Sequence, residues 1–195
     1  MKKFGMLLLL VIIGHSCMSS PPKRYHQIYL PENLSVSTVK IEKTLYIDRV
    51  GSSQIYDNFE IVYRDSPYHL NYYSYDFWAQ KPGEMIQDTI YNYFHENRNF
   101  LRIYRDLLKG DPDLILKARI RVIEEEDHED AWFARLSMEI EIRDFNTDEV
   151  IVFHEFEKLR KLPEMDIDHL SEAISHILEE ELILVLNALS TKISQ

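Results

Sequence analysis

The chain has 195 residues, a hydrophobic content of 45%, 5 glycines and 7 prolines, which suits one domain with a real core and excludes a loop-dominated or low-complexity protein. The formal net charge is −11, and losing Lys2 and Lys3 with a cleaved leader takes it to −13; that balance excludes nucleic acid as a partner and opposes flat adsorption on anionic lipid. A single cysteine, Cys17, excludes an internal disulfide, so the fold relies on its core alone.

In chain order, Lys2 and Lys3 precede an apolar run, Leu7 to Leu10 with Val11, Ile12 and Ile13. A basic start followed by a short apolar stretch is the layout of a secretory signal. The run is roughly half of the ~20 residues needed to span a bilayer. It ends in Gly14, His15 and Ser16 before Cys17, which resembles a bacterial lipobox with the apolar residue set one position upstream. Residues 1–16 are therefore expected to be a signal peptide. Cys17 is expected to carry the lipid, with 17–24 as an extended Ser/Pro tether and 25–195 as the domain. Met18, where enteric sorting uses Asp for retention, favours the outer membrane. The alternative is cleavage near Ser16 or Ser20, leaving a free thiol on a soluble protein.

The segments "STVKIEKTL", "FEIVYR" and "YHLNYYSY" predict short strands. "PGEMIQDTIYNYFHENRN" predicts a helix with Pro82 near its start and Met85, Ile86, Ile90, Tyr93 and Phe94 on one side. "NFLRIYR" then reads as another strand. Strict alternation follows, with Leu114, Leu116, Ala118, Ile120 and Val122 on one face of a first long strand. Trp132, Ala134, Leu136, Met138, Ile140 and Ile142 share one face of a second. Between them "EEEDHED" reads as a charged hairpin tip. After "NTDE", "VIVFHEFEKL" makes the third strand of an antiparallel meander. Outward Arg135, Arg143, Glu139 and Glu141 can pair with Arg119 and Arg121. The last helix starts at Asp166 or Asp168 and buries Leu170, Ala173, Ile174, Ile177, Leu178 and Leu182. The fold class expected is α+β, a single mostly antiparallel sheet with two helices packed on one face.

Chemistry-bearing motifs are scarce. Five glycines leave little room for a phosphate loop, and no dinucleotide fingerprint or nucleophile elbow occurs. His169 and His176 lack metal-ligand spacing, and the acidic run lacks the glycine and alternating ligands of a calcium loop. No enzyme activity, metal or cofactor is expected. Two patches suggest contacts instead. Tyr73, Tyr75, Phe77 and Trp78 sit in an aromatic stretch suited either to a core strand or to an interface. In "LILVLNAL" the inward stripe takes Leu182, Val185 and Leu189, which leaves Ile183, Leu184 and Leu186 as a second candidate surface, favoured for self-association.

Tyr29, Leu30, Ile61, Val62, Arg64, Ser66, Tyr68, Leu70, Trp78 and Ala79 carry a pattern of a first strand, an "ivyR-s-y-L" segment and a following helix. In this the chain resembles the ABC-type transport auxiliary lipoprotein family, the PqiC-like lipoproteins of MCE-type intermembrane transport systems. The resemblance implies a non-enzymatic lipoprotein on the periplasmic face of the outer membrane. It also implies an MCE-domain protein as partner and an ATPase elsewhere in the system. Two alternatives stay open, a lipoprotein that itself binds a lipid or other apolar ligand and a structural outer-membrane assembly lipoprotein. A carrier needs a cavity between sheet and helices; a docking module needs a packed core and an exposed patch.

Overall fold

The computed structural model describes residues 20–30, 38–106, 110–128 and 130–194. The leader and Cys17 lie outside the described residues. Among the described residues nine strands form one sheet: β1 (Arg24–His26), β2 (Ile41–Ile47), β3 (Gly51–Ser52), β4 (Glu60–Ser66), β5 (His69–Trp78), β6 (Phe100–Tyr104), β7 (Leu114–His128), β8 (Ala131–Asp144) and β9 (Val150–Lys161). Helix α1 (Pro82–Glu96) lies between β5 and β6, and α2 (Ile167–Ile193) follows β9.

The α+β class and the β7–β8–β9 meander match the sequence pattern, but the sheet is mixed rather than mostly antiparallel. Strand β7 pairs with β8 along its whole length on one edge. Its other edge receives three short parallel strands in succession: β2 at Leu114–Leu116, β3 at Arg119–Ile120 and β4 at Glu125–Glu126. Strands β2 and β6, and β1 and β5, are also parallel neighbours. Parallel pairing needs a long crossover, and the excursion through α1 separates β2–β5 from β6 and β7.

A bulge between Ile120 and Val122 changes which side chains face inward. Up to Ile120 the even positions point to the core. Beyond the bulge Ile123 opposes buried Leu136, whereas Val122 opposes Ser137 and is only half-buried. The expected place of Val122 on the inner face is therefore corrected. The acidic run is corrected too. Pairing continues from Glu124–Arg135 to His128–Ala131, so the first part of the run is strand, with Glu124 and Glu125 buried, and the hairpin turn is confined to its end.

Helix α1 begins with Pro at its first position and ends with Asn99 N donating to Phe94 O at 3.1 Å, with Arg98 at φ 51°. Gly83 lets this helix approach the β2–β3 connection, because a Cβ there would lie 2.5 Å from Val50 O. Asp166 caps α2 by accepting from Asp168 N at 2.7 Å. Leu45, Ile86, Phe94, Leu116, Leu136, Ile140, Ile174 and Leu182 belong to one continuous buried cluster that joins sheet and both helices.

Candidate interaction surface

Strand β5 and the turn before it expose Tyr68, Tyr72 and Tyr75, while Tyr25, Tyr29, Phe59 and Phe153 are exposed elsewhere. Tyr68, in the turn, is 98% exposed, and Tyr72 and Tyr75 are 46% and 41% exposed. Phe77 is half-buried, with the Tyr25 ring 6.0 Å away and Lys23 Nζ 4.7 Å from its centroid. Tyr73 is half-buried and packs on Tyr63 at 4.9 Å. Trp78 is 1% exposed and belongs to the core, which removes it from the expected surface. It pairs in register with buried His26 of β1, so both side chains face the covered side of the sheet.

At the end of α2, Leu184 is 50% exposed and Ile183 half-buried. Leu186 is fully buried, against expectation. Leu182, Val185, Leu186 and Leu189 follow i, i+3, i+4, i+7 spacing, so the apolar stripe is wide enough to take in the i+4 residue. Of the seven aromatic and helix-end candidates, the surface retains Tyr75 and Leu184 fully and Tyr73, Phe77 and Ile183 in part.

Polar networks brace this surface from below. His26 lies between Asp76 Oδ1 at 2.8 Å and Asp168 Oδ1 at 3.0 Å, tying β1 to β5 and to the start of α2. Burial pushes the Asp76 pKa up, but hydrogen bonds from Arg24 and His26 outweigh it and hold the carboxyl below its usual value. Buried Glu124 accepts from Arg64 Nε at 2.8 Å, Tyr56 Oη at 2.6 Å and Arg135 Nη1 at 3.3 Å. Its neighbour Glu125, on the opposite side of β7, accepts only from Tyr73 Oη at 2.6 Å. Burial pushes the Glu125 carboxyl up to about 7, and contact with Asp127 adds to the rise. Buried Glu181 of α2 is met by His154 Nε2 at 2.6 Å and Lys158 Nζ at 3.4 Å from β9. Arg64, Tyr73, Arg135 and Asp168 are marked in the sequence only for other roles, and the buried carboxylates they meet are not marked as buried.

The exposed side of the meander is a ladder of ion pairs. Arg121 pairs with Glu139 and Glu155, Arg135 with Glu157 at 2.6 Å, and Arg143 with Glu141 at 2.8 Å. A groove of about 590 Å³ lies beside it, lined by charged side chains including Arg64, Asp65, Glu126, His128 and Arg135. A second, of about 690 Å³, runs between the end of α1 and β6, past Tyr91, His95, Arg98 and Leu101. Among the described residues, no group of three or more His, Cys, Asp or Glu is placed to hold a metal ion. No described helix is long and apolar enough to cross a membrane.

A family model described as the ABC-type transport auxiliary lipoprotein component matches residues 30–182, and the chain belongs to that family. No curated protein matches the sequence. Among solved structures the fold is similar to protein XCC0632 from Xanthomonas campestris, of family DUF330. That match has a TM-score of 0.71 and 16% identity and covers 90% of this chain and 99% of that one. It is also similar to the hypothetical protein CT253 from Chlamydia trachomatis, with a TM-score of 0.53, 9% identity and coverage of 76% and 98%. These likenesses concern the fold.

Proposed function

We propose that this auxiliary lipoprotein works by docking rather than by catalysis. A lipid on Cys17 holds the domain on the periplasmic face of the outer membrane. The exposed aromatics of β5 then receive the MCE-domain protein of an ABC-type lipid transport system. The observation that carries this reading is the contrast between a filled interior and an exposed aromatic strand. Sheet and helices share one buried cluster, while Tyr72 and Tyr75 stand in solvent. Aromatic side chains with a polar tip are favoured at protein interfaces. A lipid carrier would instead call for an apolar cavity between sheet and helices. The groove of about 590 Å³ is ringed by charged side chains, which suits surface contact better than acyl chains.

The test is co-purification with the MCE-domain protein of the same system. Wild type is expected to retain the partner, and Tyr72→Glu combined with Tyr75→Glu to release it while keeping its circular dichroism. Undiminished capture by that variant sinks the aromatic docking surface. A stoichiometric lipid recovered from the purified domain, with no partner captured, favours the carrier reading.

A further inference from the structure

We propose that one proton shared between Glu125 and Asp127 fastens the β4–β5 hairpin to β7, and that the hairpin loosens when the pair loses it. The inference goes beyond docking and does not depend on it.

The geometry starts from parity. Glu125 and Asp127 are two apart in β7 and opposite Ala134 and Trp132 of β8, so they share a face. Glu125 is fully buried, and its Oε2 and the Asp127 Oδ1 are both shielded from solvent without a donor. Each carboxyl perturbs the ionisation of the other. Two carboxylates have only acceptors to offer each other, so these two shielded oxygens are satisfied together only with a proton between them.

The charged and titratable groups around the pair do not replace that proton. From β5, Tyr73 donates its hydroxyl to Glu125, and His69 is engaged with Asp65 at 3.1 Å. From β4, Asp65 adds negative charge near Asp127, and Tyr63 packs on Tyr73. From β7, His128 offsets part of that charge while bound to Glu126 at 3.1 Å. From β8, Arg135 serves Glu124, Glu126 and Glu157 instead. Among the described residues no cation forms an ion pair with Glu125 or Asp127.

The position of the pair gives the proton leverage. Strand β4 meets β7 through two register pairs, Tyr63–Glu125 and Arg64–Glu126, and Tyr73 of β5 bonds the same glutamate. Losing the proton sets two negative charges side by side at this joint. The sign follows from linkage. The Glu125 carboxyl is raised from 4.5 to about 7, so the closed hairpin binds more protons than the open one between those values. The stabilisation is complete below the lower value and is lost as pH rises through the upper one.

Hydrogen exchange on the full chain, corrected for intrinsic rates, reads the opening of the hairpin. Between pH 5.5 and 7.5 the opening constant of β4 and β5 amides is expected to rise on the order of tenfold. Amides of α2 should not follow. Glu125→Gln, whose amide donates to Asp127 and accepts from Tyr73, should flatten the dependence, and Asp127→Asn should do the same. Tyr73→Phe should keep it. A flat wild-type profile, an unchanged slope in Glu125→Gln or a slope shared with α2 overturns the proposal. Should Glu125→Gln fail to fold, infrared spectra of wild type decide. A carboxylic acid band that persists at pH 6.5, is lost by pH 8 and shifts in Asp127→Asn supports the shared proton, and no such band overturns it.

Discussion

Arg64 Nε donates to Glu124 Oε1 across 2.8 Å, joining β4 to β7 on the side of the sheet opposite Glu125. The Arg64 side chain is 20% exposed and that of Glu124 is fully buried. Removing the arginine leaves a buried carboxylate with Tyr56 and Arg135 as its remaining partners. Arg64→Ala should therefore cost about 2–4 kcal/mol, somewhat under the usual loss for breaking a buried pair. Arg64→Lys should recover only part of it, because an ammonium cannot reproduce the two-nitrogen contact. Denaturant melts at pH 7 measure both.

The bulge in β7 makes neighbouring residues unequal. Ile123→Ala should cost about 2–5 kcal/mol, as should Ile120→Ala and Leu136→Ala. Val122→Ala should cost about 1 kcal/mol or less, because the side chain is half-buried on the outer side. A larger loss at 122 than at 123 in urea melts would mean that the alternation runs unbroken and the bulge is absent.

The end of α2 separates packing from contact. Leu186→Glu places a charge in the core and should unfold the domain or lower its melting temperature severely. Leu184→Glu should stay within about 0.5 kcal/mol of wild type. If this face mediates self-association, Leu184→Glu should shift the sedimentation profile to monomer. Sedimentation identical to wild type excludes Leu184 from such an interface.

Gly83 should resist the smallest enlargement. Gly83→Ala sets a methyl 2.5 Å from a backbone oxygen, which must shift for the helix to stay docked. Overpacking of this kind costs about 1–3 kcal/mol. A thermal melt no lower than wild type would show that the β2–β3 connection yields freely.

The anchor is tested by mass. Wild type recovered from membranes should carry acyl groups on Cys17, and Cys17→Ala should appear in the soluble fraction. An unmodified cysteine in mature wild-type protein would remove the anchor and, with it, the basis for placing the domain at a membrane.

The sequence by itself determined the elements. Period-2 alternation placed β7, β8 and β9, and the helix signals at Pro82 and Asp166 placed α1 and α2, because these patterns record which side of a local element is wet. The residues shared with the auxiliary lipoprotein family were legible for the same local reason, lying mostly in β4 and β5. Tertiary structure alone decided strand direction, since alternation reads the same whether a neighbour runs parallel or antiparallel. It decided the bulge, where one extra residue exchanges the faces of Val122 and Ile123. It also decided the fate of the acidic run. Charge in sequence predicts solvent, and only the arrival of β4 and β5 over β7 reveals that Glu124 meets two arginines while Glu125 meets a tyrosine and another acid.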